Sequence, residues 1–160
     1  MTETEWLSSQ DPDAMLAFIR GRADDSKRRQ FACACCSRVL HLIQDPRSIR
    51  ALAVAERFAH GTATVSELRG AAADALDAAA ADGDNGQDAD AVAAASDIEV
   101  NEVAAAHAAA WAKANSVGDA ANIEQSAYDA IAQEEFNLER GAQAHLLRSI
   151  VGNPFSKPGV

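Results

Sequence analysis

The fold is decided by residues 64–81, which read TVSELRGAAADALDAAAA. Thr64 and Glu67 stand three residues apart, the spacing of a capping box in which a hydroxyl and a carboxylate bind backbone N–H groups at a helix start. Most of the residues that follow are alanine, the strongest helix former. The stretch therefore predicts a helix that begins at Thr64 and ends near Ala81.

The same alanine content runs through the whole chain. Hydrophobic residues make up 48% of the 160 positions, but 38 are alanine and only 36 are large and apolar. Glycine (9) and proline (4) are scarce, and β-branched residues form no alternating runs. This composition excludes β-sandwiches, barrels and collagen. Because no apolar run approaches the ~20 residues of a membrane span, a soluble, acidic, all-α protein is predicted.

Further helix boundaries are marked by Asp-Pro pairs at 11–12 and 45–46, since aspartate caps a helix and proline suits its first turn. Residues 82–88, DGDNGQD, read as a linker because glycine and acidic residues interrupt the helical pattern. A second break is expected at 115–119. About six helices result, spanning approximately 12–21, 26–43, 46–60, 64–81, 88–115 and 120–151.

These helices predict one all-helical domain over residues 1–160. Its parts are a three-helix N-terminal unit (1–62), a long alanine-rich antiparallel helical pair (63–155) and a tail (156–160). The last helix would be about 45 Å long at 1.5 Å per residue. We therefore expect it either to kink at Gly141 or to form part of an elongated hairpin.

Charge is distributed unevenly around a net value of −10. Residues 20–57 carry nine Lys/Arg and four Asp/Glu, whereas residues 61–139 carry two Lys/Arg and sixteen Asp/Glu. Opposite signs predict that the two parts attract each other, or attract a sister chain. The acidic part would repel nucleic acid and anionic membranes. Since a basic patch alone gives only salt-sensitive, non-specific affinity, we do not expect nucleic-acid binding.

Three cysteines, Cys33, Cys35 and Cys36, lie within four residues and have no second cluster to pair with. This excludes a disulfide framework and predicts a reducing, cytoplasmic compartment. Cys33 and Cys36 share a helix face and could hold one metal, but a closed zinc site needs four ligands. The favoured interpretation is that the thiols pack in the core beside Phe31 and Val39.

Ionisable side chains also fall on apolar helix faces. His107 lies on one face of the predicted fifth helix, while Glu135 and His145 lie on one face of the sixth. Such groups need partners when buried. Together they could form a carboxylate–imidazole metal site, although no histidine follows a glutamate by three residues as in di-iron bundles. The alternatives are an interhelical Glu–His pair or a half-buried seam.

Motifs for catalysis are not found. The loop that starts at Asp82 places glycine where a calcium-binding loop needs an oxygen ligand. The chain contains no glycine-rich phosphate loop, nucleophile elbow or His-Glu-x-x-His sequence. Glu56 and His60, four residues apart, fit a surface pair. We therefore expect no enzymatic activity and no cofactor.

A family resemblance is carried by three blocks of sequence. They are MTETEWL (1–7) with Asp11-Pro12; FACACCSRVLHL (31–42) with DPRS (45–48) and AERF (55–58); and LLRSIVGNPF (146–155). The combination resembles a large group of bacterial proteins, abundant in planctomycetes, with an N-terminal FACACC-like block and a C-terminal GNPF signature. The resemblance covers residues 1–61 and 145–155. It implies no particular activity and no site residue.

The expected function is a non-catalytic helical interaction or adaptor module that self-associates within a bacterial assembly. Alanine seams bury little area each, so association would add apolar burial. The expected partner is a protein or a second copy, and no membrane is involved. The alternative is a small metal- or redox-responsive protein. Its candidate ligands are Cys33, Cys36, His107, Glu135 and His145.

Overall fold

A computed structural model of the chain describes residues 1–82, 87–97, 99–116 and 125–156. These residues form eight α-helices and no strand, which confirms the all-α class. The expected number of about six helices is wrong. The helices are α1 (Glu3–Ser8), α2 (Pro12–Ile19), α3 (Asp25–Arg38), α4 (Pro46–Ala59), α5 (Val65–Asp82), α6 (Gln87–Ser96), α7 (Glu102–Asn115) and α8 (Gln125–Val151).

Two boundaries account for the difference in number. α1 is an additional short helix whose start is a capping box, with Glu5 N–H 3.2 Å from Thr2 Oγ1 and Thr2 N–H 2.6 Å from Glu5 Oε2. The predicted helix 88–115 is divided into α6 and α7. Asn101 caps α7 by accepting a hydrogen bond from the Ala104 N–H at 3.0 Å. Capping at Asn101 begins a new helix there, so the continuous helix was a wrong prediction.

Three of the predicted helix starts are confirmed by side-chain hydrogen bonds. Asp11 and Asp45 each accept a hydrogen bond from the backbone N–H two residues on, at 3.0 and 2.7 Å. Thr64 N–H donates to Glu67 Oε2 at 2.7 Å, and Glu67 N–H donates to Thr64 Oγ1 at 3.2 Å. Gly61 follows α4 with φ +72°, a left-handed conformation that glycine adopts without strain.

The other expectations about helix length are partly wrong. α3 ends at Arg38, not near residue 43, and the N-terminal unit has four helices, not three. In place of a helical pair, the described part of 63–155 holds α5, α6, α7 and α8. α8 continues through Gly141, where a Cβ would lie 2.6 Å from Gln10 Oε1. Glycine there lets the segment between α1 and α2 approach α8 closely.

Parts of several predictions lie outside the described residues. These parts are 83–86 of the proposed linker, residue 98 of the predicted fifth helix, 117–119 of the second break, 120–124 of the predicted sixth helix and 157–160 of the tail. Within the described ranges, no helix has both the length and the apolar character that a membrane span needs.

α3 lies at the centre of the fold, because it contacts α4, α6, α7 and α8. Phe31, Cys35 and Cys36 on this helix are completely buried. The surrounding α6 and α7 bury mainly alanines, so the helices can approach one another closely. The largest buried side chain is Trp6, which α1 inserts into the core.

The segment after α8 meets the N-terminal helices at one side of the fold. Gly152 ends α8 with φ +82°, and the Asn153 side chain then donates a hydrogen bond to Glu3 at 2.5 Å. Phe155 stacks on Phe18 of α2 with ring centroids 5.2 Å apart. The Gly-Asn-Pro-Phe segment therefore has an architectural role, because it fastens the end of α8 to α1 and α2.

Candidate interaction surface

The three cysteines are buried in α3, as the packing interpretation predicts. Burial, with a smaller effect from the Glu56 carboxylate, raises the pKa of the Cys33 thiol to about 12. Burial likewise raises the pKa of Cys35 and Cys36. The thiolate is the nucleophilic and metal-binding form, so these thiols are poorly suited to either role near neutral pH.

Cys33 does border a groove of about 440 Å³ between α3, α4 and α8. The Glu56 carboxylate at its rim accepts a hydrogen bond from the Ser37 hydroxyl at 3.1 Å. His60 Nδ1 lies 2.8 Å from the Glu56 backbone oxygen. The predicted Glu56–His60 contact therefore exists, but through the main chain and not through the carboxylate.

The candidate ligands His107, Glu135 and His145 are not brought together. Among the described residues, no group of three or more His, Cys, Asp or Glu side chains is placed to hold a metal ion. His107 is engaged by Asp13 of α2, a partner that the sequence pattern did not indicate. Glu135 and His145 are ten residues apart on α8, which is about 15 Å along a helix.

A polar cluster joins α2, α7 and α8. The two oxygens of Asp13 lie 2.6 Å from His107 Nε2 and 2.5 Å from Arg140 Nη2. Arg140 Nη1 donates to Gln143 Oε1 at 3.0 Å, and Gln143 Nε2 donates to the Ala106 carbonyl oxygen at 2.8 Å. Arg140 and Gln143 are buried, so the cluster fixes how the N-terminal helices sit on α7 and α8.

Replacing Asp13 with asparagine is expected to destabilise the fold at neutral pH. Partial burial raises the pKa of Asp13, but the contacts with His107 and Arg140 outweigh it and lower the pKa overall. We expect a loss of about 1 to 2 kcal/mol in the free energy of unfolding, at the low end for hydrogen bonds to charged groups because the side chain is 38% exposed. Urea denaturation measures it.

The loss of stability caused by Asp13→Asn should also depend on pH. Since the folded-state pKa of Asp13 is lowered, its contribution is full above the unfolded value of about 3.9 and is lost as the pH falls through the folded value. The difference between Asp13→Asn and wild type should therefore shrink in strong acid. Asp77→Asn, at an exposed site on α5, is the control. A difference that is equally large in strong acid would contradict this role of the carboxylate.

The basic and acidic parts of the sequence attract each other within the chain, as one of the two charge interpretations predicts. Arg28 binds Glu102 through two hydrogen bonds of 3.0 and 2.8 Å. Arg38 binds Glu139 in the same way at 2.5 and 3.0 Å. These arginines hold α3 to α7 and α8, so part of the basic segment serves the fold.

The predicted seam of α8 faces solvent. Leu138 is 61% exposed and Ile131 is 38% exposed, and His145 on the same face is exposed too. The helix buries a different side, which combines the apolar Ala144 and Leu147 with the polar Glu139, Arg140 and Gln143. On the predicted face only Glu135 and Ala142 are half-buried, because apolar packing, ion pairs and hydrogen bonds hold another side of the helix against the fold. We call the solvent side, comprising Ile131, Glu135, Leu138, Ala142 and His145, the outer face.

An aromatic pair packs α7 against the N-terminal half of α8. The Trp111 and Phe136 rings have centroids 4.5 Å apart, and the Phe136 ring is 6.1 Å from the His107 imidazole. Trp111 remains 39% exposed. These aromatic contacts hold the N-terminal half of α8 against α7. The outer face therefore lies on a helix that is packed against the rest of the fold.

Comparisons with known proteins do not add to this geometry. No family model, no curated protein and no solved structure matches the chain.

Sequence reasoning missed the residues that position these surfaces. Asp13 and Arg140 are ordinary charged residues in helices, and their contact joins positions more than a hundred residues apart. Only the fold brings them together. The one sequence signal was the burial cost of an ionisable group on an apolar face, which singled out His107 correctly as a residue that needs a partner.

Proposed function

We propose that this protein is a non-catalytic helical interaction module that self-associates through the outer face of α8. The observation that carries the proposal is the exposure of Leu138 and Ile131 on a helix that buries Glu139 and Arg140. An apolar stripe on the solvent side of a supported helix is the geometry used for helix–helix association. The family resemblance suggests a bacterial assembly as its setting.

The interior gives a reason for association. Most buried residues of α6 and α7 are alanines, which bury little apolar area each. Covering Leu138 and Ile131 would remove further apolar surface from water. Because the face from Ile131 to His145 is only about 21 Å long, the interface would be small and the affinity in the micromolar range.

The net charge of the chain opposes self-association, so the dimer fraction should depend on salt concentration. Two copies that each carry a charge of −10 repel each other over distances that salt screens. Apolar contact is not weakened by moderate salt. We therefore expect the dimer fraction to rise as ionic strength increases from low values, the opposite of an association driven by attraction between unlike charges.

Leu138→Arg is the variant that tests the surface. It places a charge at the centre of the outer face, so we expect self-association to weaken at least tenfold, the effect of about 1.4 kcal/mol. Sedimentation velocity at micromolar concentrations measures the dimer fraction. Leu76→Arg on α5 is the matched control, because Leu76 is 60% exposed and should tolerate the same change without altering association.

Two outcomes would contradict the proposal. One is a wild-type chain that remains monomeric at all accessible concentrations. The other is a dimer that Leu138→Arg and Leu76→Arg weaken equally, which would place the contact elsewhere. Circular dichroism of both variants confirms that the helices are retained.

The alternative function, metal or redox response through Cys33 and Cys36, stays a hypothesis with less support. The raised thiol pKa values leave little thiolate for metal binding or oxidation.

A further inference from the structure

We propose that the groove between α3, α4 and α8 binds a small organic cation, a protonated amine carried on an apolar group. The groove has a volume of about 440 Å³, which falls within the range of small-molecule sites. Leu146 and Ile150, which line it, are about 80° and 120° around α8 from Leu138, so the groove lies to one side of the outer face. The proposal therefore goes beyond self-association and stands independently of it.

Small side chains on α3 and α4 leave the space for this groove. Ala34 and Ser37 are three residues apart on one side of α3, and Ala59 lines the groove from α4. The wall from α8 is made by Leu146 and Ile150, which are four residues apart on that helix. Both are half-buried and pack against the core, so their remaining exposed surface gives the groove an apolar wall.

One carboxylate stands at the rim of the groove without a cation. Glu56 accepts a hydrogen bond from the Ser37 hydroxyl at 3.1 Å, and in the part of the chain that the structure describes it forms no ion pair. By contrast, Glu102 and Glu139, which join helices elsewhere, are each held by an arginine. After burial, the Glu56 charge is the next cause of the raised pKa of the Cys33 thiol, so its field extends into the groove lining.

The other polar groups of the lining suit a donor. Gln30 Nε2 donates to Ser26 Oγ at 3.2 Å, which leaves the Gln30 amide oxygen to accept a hydrogen bond from a ligand. An ammonium group donates up to three hydrogen bonds and accepts none. The described lining contains no lysine or arginine, the side chains that would favour an anion. Charge and hydrogen-bonding capacity therefore both select a cation.

The dimensions of the apolar wall favour a small molecule over a peptide. Leu146 and Ile150 are separated by about 6 Å along α8, since each residue of a helix rises 1.5 Å. That length accommodates one ring or a short branched chain, whereas a helical peptide presents apolar groups over two or more turns. The occupant is therefore an amine with a single compact apolar group.

Phenethylamine is the probe, because its ammonium group and its ring match the carboxylate and the apolar wall. Its binding to the full-length chain is followed by amide chemical shifts in NMR spectra. Phenethyl alcohol is the neutral comparison, and hydrocinnamate is the anionic one. We expect phenethylamine to bind with a Kd below about 1 mM, at least fivefold tighter than phenethyl alcohol and tighter still than hydrocinnamate. The largest shifts should fall on Ala34, Ser37 and Ile150.

Three variants separate the charge from the apolar wall. Glu56→Gln keeps an acceptor for Ser37 but removes the charge, so it should weaken phenethylamine binding about fivefold and leave phenethyl alcohol binding unchanged. Glu134→Gln removes an equally exposed charge on α8, outside the groove, and is the matched control. Ala34→Leu fills the groove and should weaken the binding of both probes at least fivefold. Circular dichroism checks that each variant keeps its helices.

Several results would overturn the inference. They are the absence of a saturable shift at millimolar phenethylamine, equal affinity for phenethylamine and phenethyl alcohol, and equal effects of Glu56→Gln and Glu134→Gln. Displacement of phenethylamine by a lysine-containing amphipathic peptide at tenfold lower concentration would also overturn it, in favour of a peptide partner. Leu138→Arg should leave phenethylamine binding unchanged, so failure of this inference is distinguishable from failure of self-association.

Discussion

Replacement of Arg38 with alanine is expected to lower the free energy of unfolding by about 3 kcal/mol. The guanidinium holds Glu139 through two hydrogen bonds, and the Glu139 side chain is only 3% exposed. Removing one member of a buried ion pair leaves an uncompensated charge, which costs about 3 to 5 kcal/mol. We expect the low end because Arg38 itself is 40% exposed and water can enter.

Denaturant unfolding followed by circular dichroism measures this loss. Arg69→Ala, an exposed arginine on α5, is the control and should change the free energy of unfolding little. In the Arg38→Ala background, Glu139→Gln should restore part of the stability, since a neutral amide costs less to bury than a carboxylate. Equal losses in Arg38→Ala and Arg69→Ala would contradict the structural role of the ion pair.

Replacement of Trp6 with alanine is expected to lower the free energy of unfolding by about 3 to 5 kcal/mol, the range for deleting a buried aromatic side chain. Trp6 is completely buried, and it is the only residue of the six-residue α1 that is. Its ring lies 6.2 Å from that of Phe18. Without this anchor, α1 would have little to hold it against the core.

The variant Trp6→Phe separates the contribution of the apolar ring from that of the indole N–H. The Trp6 indole N–H is buried without a hydrogen-bond partner, so phenylalanine keeps much of the apolar contact and removes an unsatisfied donor. We expect Trp6→Phe to retain more than half of the stability lost in Trp6→Ala. If the two variants unfold at the same denaturant concentration, the anchor is not the apolar ring.

Local signals in the sequence predicted local structure well. Asp11, Asp45 and Thr64 begin helices as expected, because a cap depends only on a side chain and the next three residues. α1 and the start of α7 carried signals of the same kind at Thr2 and Asn101. The alanine-rich composition obscured the signal at Asn101, because helix-favouring stretches on both sides of residues 97–101 suggest one continuous helix.

The orientation of α8 could not be predicted in the same way. Apolarity alone selects Ile131 and Leu138 for the core, whereas the fold buries the polar Glu139, Arg140 and Gln143 beside the apolar Leu147. That choice depends on partners contributed by α2, α3 and α7, which are distant in sequence. A polar helix face is buried at low cost only when every group on it finds such a partner.

The same reasoning explains why the candidate metal ligands separated. These residues were selected because each lies on an apolar helix face. In the structure, the faces of α7 and α8 that carry them lie in different environments. His107 contacts Asp13 at a half-buried position, whereas Glu135 and His145 lie on the outer face. Residue type and periodicity identified groups that require an explanation, and the tertiary contacts supplied it.

Sedimentation equilibrium of the unmodified chain tests the central claim, self-association through the outer face, most directly. The chain mass is 16.8 kDa. We predict that the weight-average mass rises from this value toward twice this value as the concentration increases from low micromolar to hundreds of micromolar, and that Leu138→Arg shifts the rise to at least tenfold higher concentration. A mass that stays at the monomer value over the whole range would contradict the account.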